Sequence, residues 1–361
     1  MSEQGAAAPE TTRRRSGASV RRLAEELSLS VATVSRALNN HPEVSDATRK
    51  RVAEAALASG YTASVGKRPT NVLGLLFPEK GYEEFSGFKA AVMSGIMRVA
   101  SESHFDLAFV NAAEEKHPAE SYTHFLARRG IAGALLRGPR APEQAVELAR
   151  EGFPAIVLVN RSEEASVSYV DADSRGTSRR AVEYLTGLGH ERIAHATFNV
   201  DSADFLDRRA GYEDGLRAAG LPVDPELVVS ASPDRHGGAL MLDRLLRLDE
   251  PPTAIYFTTP HTTMGAMIRC LELGIRVPED LSIIGVDDSD VRYQTFPSFT
   301  AITQDVAGMA AEATRWLVAR INGQASGVYR VVKETTLSIE RSTGYAPHQP
   351  VRLDGGGRVI R

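Results

Sequence analysis

The chain has 361 residues, of which 42% are hydrophobic, 24% charged and 6% aromatic. That balance excludes a wholly disordered or fibrous protein and leaves room for two or three domains. The net charge of −4 hides a division: residues 1–70 carry 11 Lys/Arg against 7 Asp/Glu, and the remainder 31 against 39.

A basic head on an acidic body suggests that the head meets a polyanion, although charge alone describes a solvated basic face nearly as well. The longest apolar runs, residues 72–77 and 155–159, fall far short of the ~20 residues that span a bilayer. The first residues hold arginines but no apolar segment of an export signal. The single cysteine, Cys270, excludes an internal disulfide framework and a Cys-based zinc site. A soluble protein of the cytosol is expected.

Residues 1–18 lack an apolar period and are expected to be a disordered tail. From Ser19, a candidate N-cap, Val20, Leu23, Ala24 and Leu27 recur at helical spacing. After a break at Ser28-Leu29, Ser30 caps a second helix over 31–39, with Val34, Ala37 and Leu38 turned inward. Ser45 caps a third, running to about Ser59, with Gly60 as its stop. Two short helices about three residues apart, buttressed by a third, form a helix-turn-helix. The outer face of the second offers Val31, Ala32, Thr33, Ser35 and Arg36: hydroxyls for phosphates, a guanidinium for guanine, small apolar groups for thymine methyls. On pattern alone, a small helical bundle with a polar surface explains the stretch equally well.

The residues go beyond the pattern. The stretches ATVSRALN and VSDATRKRV, followed by GY, closely resemble the DNA-binding head of the lac repressor (LacI/GalR) family. The resemblance implies that Val31, Ala32 and Arg36 read bases and that Thr33, Ser35 and Asn39 hold the DNA backbone. The family's turn glycine is Ser28 here. The linker at 62–70 looks short, lacks the family's minor-groove leucine and contains Gly66 and Pro69, which oppose a helix. Lys67 and Arg68 remain candidates for phosphate contacts.

From Asn71 onward strands alternate with helices. Strands are expected at 72–77, 107–111, 133–136, 155–159, 192–197, 227–229, 254–257 and 281–286. Helices are expected at 88–102, 122–129, 142–151, 177–188, 207–219, 238–248, 262–273 and 306–321. Repeated β-α units imply parallel sheets covered by helices, with ligands at the carboxyl ends of the strands. No dinucleotide fingerprint, Walker lysine or nucleophile elbow appears, so an enzyme is not expected. The nine histidines show no metal spacing; His190 and His195 read as structural. No cofactor is expected.

The same resemblance extends to about residue 345 through LTGLGHERIA, RRAGYEDGLRAAGL and ELGIRVPEDLSIIGVDDSD. It implies an effector core like a periplasmic sugar-binding protein: two lobes, three crossings and a ligand between them. The division is then 19–61 head, 62–70 hinge, 71–345 core and 346–361 flexible tail. Within the core, one lobe covers 71–174 with 306–333 and the other 175–305 with 334–345. Phe88, Asn160, Arg208, Asp287 and Gln304 match effector contacts, with Arg209 as an alternative to Arg208.

Three positions depart from the family: Thr259-Pro260 replaces an Asn-Asp, Pro233 an aromatic, and Arg137 a neutral polar residue. With Arg137 and Arg208 facing one carboxylate, Asp287, an acidic sugar derivative is expected as ligand, unless Arg137 turns outward or pairs with a residue such as Glu79. The resulting expectation is a homodimeric, effector-controlled transcriptional regulator, a repressor in type, that binds a pseudopalindromic DNA operator. The rival class is a solute-binding protein, which has no use for a basic helix-turn-helix.

Overall fold

The computed structural model describes residues 19–38, 43–59, 70–76, 87–198 and 203–360. The tail 1–18, most of the hinge, Asn39, Lys67, Arg68 and Glu79 lie outside the described residues.

The head has helices α1 (Val20–Leu27), α2 (Val31–Leu38) and α3 (Asp46–Ala58). Serines start each one. The Ser19 hydroxyl accepts from the Arg22 amide at 3.3 Å, Ser30 from Thr33 at 2.9 Å and Ser45 from Thr48 at 3.3 Å. Leu23, Ala24, Val34, Ala37, Val44, Val52 and Ala56 form the core. Burial of Leu23 and Val34 contributes about 1.5–3 kcal/mol each. Ser28 turns the chain between α1 and α2 with φ 55°, the left-handed conformation that glycine adopts more easily.

In chain order the body contains β1 (Val72–Leu76), α4 (Gly87–Glu102), β2 (Asp106–Val110), α5 (Ala112–Glu115), α6 (Tyr122–Arg128), β3 (Gly133–Leu136), α7 (Ala141–Arg150), β4 (Ala155–Leu158) and β5 (Tyr169–Ala172). Next come α8 (Ser174–Gly187), β6 (Ile193–Thr197), α9 (Ala203–Ala218), β7 (Val228–Ser230), α10 (Arg235–Leu245), β8 (Ala254–Phe257), α11 (Pro260–Leu273), β9 (Ser282–Asp287) and β10 (Thr300–Thr303). Helix α12 (Val306–Ile321) and strands β11 (Arg330–Lys333), β12 (Thr336–Ser338), β13 (Arg352–Leu353) and β14 (Val359–Ile360) complete it.

Two six-stranded sheets result, ordered β11-β5-β4-β3-β1-β2 and β12-β10-β9-β8-β6-β7. Pairing is parallel throughout except for β12, which runs antiparallel to β10. The strand order reverses beside β1 and β3 in the first sheet and beside β6 and β8 in the second, and ligands of such sheets gather at the carboxyl ends of those strands. The chain passes between the sheets after β5, after β10 and after β11. Helix α12 returns to the first sheet, where Met309, Ala310, Ala313 and Leu317 pack with Leu73, Leu75 and Ile96. The second sheet is covered on both faces, by Met241, Leu242 and Met267 in one cluster and Val182, Tyr212 and Leu216 in the other.

Strands β5, β10, β11 and β12 were not expected; each is three or four residues long and carries polar or charged side chains. The flexible tail expected at 346–361 is a correction. Val351 and Leu353 are buried in the second sheet's core, the Leu353 amide donates to the Leu246 carbonyl at 2.8 Å, and β13 pairs with β14. Among the described residues no helix is long and apolar enough to cross a membrane.

Candidate DNA-reading face and effector cleft

Helix α2 buries Val34 and Ala37, three residues apart, and this fixes its outward face. Val31 is 47% exposed, and Ala32, Ser35 and Arg36 are exposed with it. The Thr33 hydroxyl bonds the Ser30 hydroxyl at 2.8 Å and so shares in the cap. Arg36 lies 3.5 Å from Glu43, both side chains being mostly exposed, so the guanidinium is held loosely and can be handed to a base edge.

The second site is built from loops at the carboxyl ends of strands in both sheets. Arg137 follows β3, Asn160 and Arg161 follow β4, and Asp171 lies on β5. Val159, with φ 48°, places a β-branched residue in the left-handed region just before Asn160. From the second sheet come Asp204, Asp207 and Arg208 on α9, Thr258 after β8, and the Asp287-Asp288 pair at the end of β9. Gly211 allows α9 to lie against α8: a Cβ there would collide with the Arg175 carbonyl.

These side chains form one charged cluster. Arg137 stacks over the Phe88 ring at 5.0 Å and approaches Asp204 at 3.8 Å. Arg208, 5% exposed, donates to the Thr258 carbonyl at 3.1 Å, lies 3.7 Å from Asp204 and covers Phe205. Arg209 instead faces Glu213, so Arg208 is the inward arginine. Arg161 makes two bonds to Asp207, Nη2 to Oδ1 at 2.7 Å, and its Nη1 lies 3.7 Å from Asp171. Burial pushes the Asp171 carboxyl up to about 6; the Ala172 amide opposes the rise, Asp204 adds to it, and Arg161 and Arg137 oppose it.

Two expected contacts are occupied by the protein itself. Asn160 donates to the Gly138 carbonyl at 3.2 Å and accepts from the Arg161 amide at 2.8 Å, so it joins two loops. Asp287 accepts from the amides of Ser289, Val291 and Arg292 and from Arg292 Nη1 at 2.7 Å. Its neighbour Asp288 is the one under the influence of Arg208; burial raises its carboxyl to about 6. Gln304 lines a cavity of about 400 Å³ with Arg98, Met309, Arg315 and Lys333, none of which belongs to the cluster.

The expected surplus of positive charge is corrected by this geometry. Asp204 lies between Arg137 and Arg208, and Asp171, Asp207 and Asp288 add further negative charge. Arg161, Asp171, Asp204, Asp207 and Asp288 were missed as site residues. Asp204 and Arg208 are four apart on α9 and share its face, but the helix was expected to start only at 207. Thr259 caps α11 with Pro260 at its first position, and Pro233 is exposed ahead of α10. Among the described residues no group of His, Cys, Asp and Glu is placed to hold a metal ion.

The model of bacterial regulatory proteins of the lacI family matches residues 23–64, and that of a periplasmic binding protein-like domain matches 182–343. The transcriptional regulator CelR of Thermobifida fusca is 30% identical over 320 residues, 86% of this chain and 94% of that protein. The chain belongs to the lacI family. The repressor CytR of Escherichia coli K12 is 29% identical over 336 residues, 91% of this chain and 97% of that protein. A solved complex of CelR with cellobiose superimposes with a TM-score of 0.67 at 29% identity, covering 90% of this chain and 99% of that one. A lacI family regulator from Mycobacterium smegmatis has a TM-score of 0.62 at 26% identity, covering 76% and 99%. The chain is thus a DNA-binding transcriptional regulator of this family, and its relatives are regulators rather than enzymes.

Proposed function

We propose that the protein is a homodimeric repressor whose grip on a pseudopalindromic operator is set by a neutral saccharide bound between the two sheets of its core. The observation that carries this reading is the cluster joining the two sheets, in which Asp171, Asp204, Asp207 and Asp288 leave Arg137, Arg161 and Arg208 no surplus of positive charge, in the same chain as an exposed α2 face bearing Arg36. A polyol suits such a cluster: its hydroxyls both donate and accept, so it adds hydrogen bonds without adding charge. The relative solved with cellobiose supports a sugar, and the CytR relative supports repression.

Phe88, Arg137 and Arg208 are the proposed direct contacts. Asn160 and Asp287 shape the loops around the ligand, and Gln304 lies at the chain crossing beside β10. The proposed divisions remain 19–61, 62–70 and 71–345, with 346–361 added to the core. A dimer follows from the size of the head: one helix-turn-helix reads few base pairs, and two reach half-sites about 34 Å apart. Ligand binding shifts the balance between open and closed arrangements of the lobes and so the spacing of the heads. The setting is the cytoplasm, where the operator is.

The test is retardation of a palindromic duplex by the full chain at increasing salt. Retardation that weakens with salt and vanishes on deleting residues 1–70 is expected. Retention by the truncated protein would refute the DNA-reading role of the head.

A further inference from the structure

Asp171 is the member of the cluster whose needs the protein leaves unmet. It is 1% exposed, the Ala172 amide acts on it, and no side chain hydrogen-bonds either carboxylate oxygen. Its nearest cation, Arg161 Nη1 at 3.7 Å, is already committed to Asp207. The neighbouring carboxylates are served: Asp207 by Arg161, Asp204 by Arg137 and Arg208, and Asp287 by Arg292 and three amides. Across the same space, Arg137 keeps a buried Nε donor without an acceptor. A buried acceptor and a buried donor left open where strand ends from both sheets meet are the marks of a site awaiting a ligand.

We propose that Asp171 is a specificity-determining contact of the effector site: two adjacent hydroxyls of a neutral saccharide donate to its two oxygens, and Arg137 Nε donates to a further sugar oxygen. This deepens the saccharide reading above and rests on it. The charges around Asp171 select against the alternatives. An acidic sugar would bring a second anion toward Asp171 and Asp204. An amine would pair with Asp171 but face the guanidiniums of Arg161 and Arg137, which already crowd the same carboxylate. A vicinal diol meets neither obstacle and matches a carboxylate's two-pronged geometry.

The experiment is isothermal titration of the full-length protein, wild type and Asp171→Asn, with cellobiose, D-glucose, D-ribose, D-gluconate and D-glucosamine. Melting temperature without ligand and DNA retardation serve as controls for folding. The expected result is binding of at least one neutral sugar by the wild type, weakened at least tenfold in Asp171→Asn, with an unchanged or raised melting temperature and retained DNA retardation. Gluconate and glucosamine should bind more weakly than the preferred neutral sugar. Sugar affinity of Asp171→Asn within twofold of wild type overturns the assignment of Asp171 and leaves the saccharide reading standing. A joint fall in melting temperature and affinity makes Asp171 a structural partner of Arg161 and also overturns it. Preference for gluconate or glucosamine, or no sugar binding by the wild type, overturns the assignment together with the saccharide reading.

Discussion

The guanidinium of Arg161 grips the carboxylate of Asp207 through two parallel hydrogen bonds, Nη2 to Oδ1 at 2.7 Å, and so ties the loop after β4 in the first sheet to α9 in the second. A bidentate arginine–carboxylate pair is strong and directional, and here it is only partly open to water. It is therefore a contact that an opening of the lobes would have to break.

Removing Arg161 leaves Asp207 and Asp171 facing each other's surroundings without their shared cation. Arg161→Met is expected to destabilise the core by roughly 1–3 kcal/mol, the partial exposure of the arginine keeping the loss below that of a fully buried pair. Urea unfolding of Arg161→Met, Asp207→Asn and the double variant checks this. The double variant should lose less than the sum of the singles; strict additivity would mean that the two groups are not coupled.

Asp171 makes stability depend on pH. Its folded-state carboxyl sits at about 6 against an ordinary 3.8, so the folded protein holds that proton more tightly than the unfolded chain. The contribution is fully present below about pH 4 and is lost as pH rises through about 6. Asp171→Asn, which cannot ionise, should be more stable than wild type by up to about 3 kcal/mol above pH 7 and equal to it near pH 4. Melting curves across pH 4–8 decide; a variant less stable than wild type at pH 7 would show that the ionised group is well accommodated.

His195 behaves in the opposite sense. Its ring is fully buried between those of Tyr212 and Tyr256, at 5.0 and 5.4 Å, neither nitrogen has a hydrogen-bond partner, and burial presses its pKa down to about 3. The unfolded chain therefore takes up a proton that the folded one refuses, and stability falls as pH drops below 6.5. His195→Phe keeps the stacking and removes two unpaired polar atoms. It should raise stability by about 1–3 kcal/mol at pH 7 and by more at pH 5. An equal gain at both pH values would assign it to packing alone.

Arg36→Ala should cost about 1–3 kcal/mol per half-site and relax preference at one symmetric position of the operator. Glu43→Gln releases the competing partner 3.5 Å away and should tighten binding modestly. Comparing retardation of specific and random duplexes checks both. Equal weakening by Arg36→Ala on the two would make it a phosphate contact.

The parts legible in the sequence are those whose residues obey one local rule. The runs at β3, β8 and α12 are bounded where their apolar pattern stops, and the serines ahead of α1, α2 and α3 announce their caps. Strand β5 was hidden because Asp171 interrupts its apolar pattern, and no side chain hydrogen-bonds that same carboxylate. Arg161 precedes Ser-Glu-Glu and looks like a solvated loop residue until the fold brings Asp207 to it. Asp287 and Asp288 differ by which side of a strand end they occupy: one is consumed by the backbone of 289–292, the other answers to Arg208. Which charge meets which is a property of the two sheets together, and no single stretch of sequence holds it.

The most direct test of the account couples its two ends. A duplex enriched by the full-length protein from a randomised pool should be pseudopalindromic, and its retardation should change when a neutral saccharide that binds the wild type is added. In Asp171→Asn, which keeps the head intact, the duplex should still be retarded but the same sugar concentration should have little effect. Enrichment of no sequence over random DNA, or a sugar response identical in wild type and Asp171→Asn, would contradict the account.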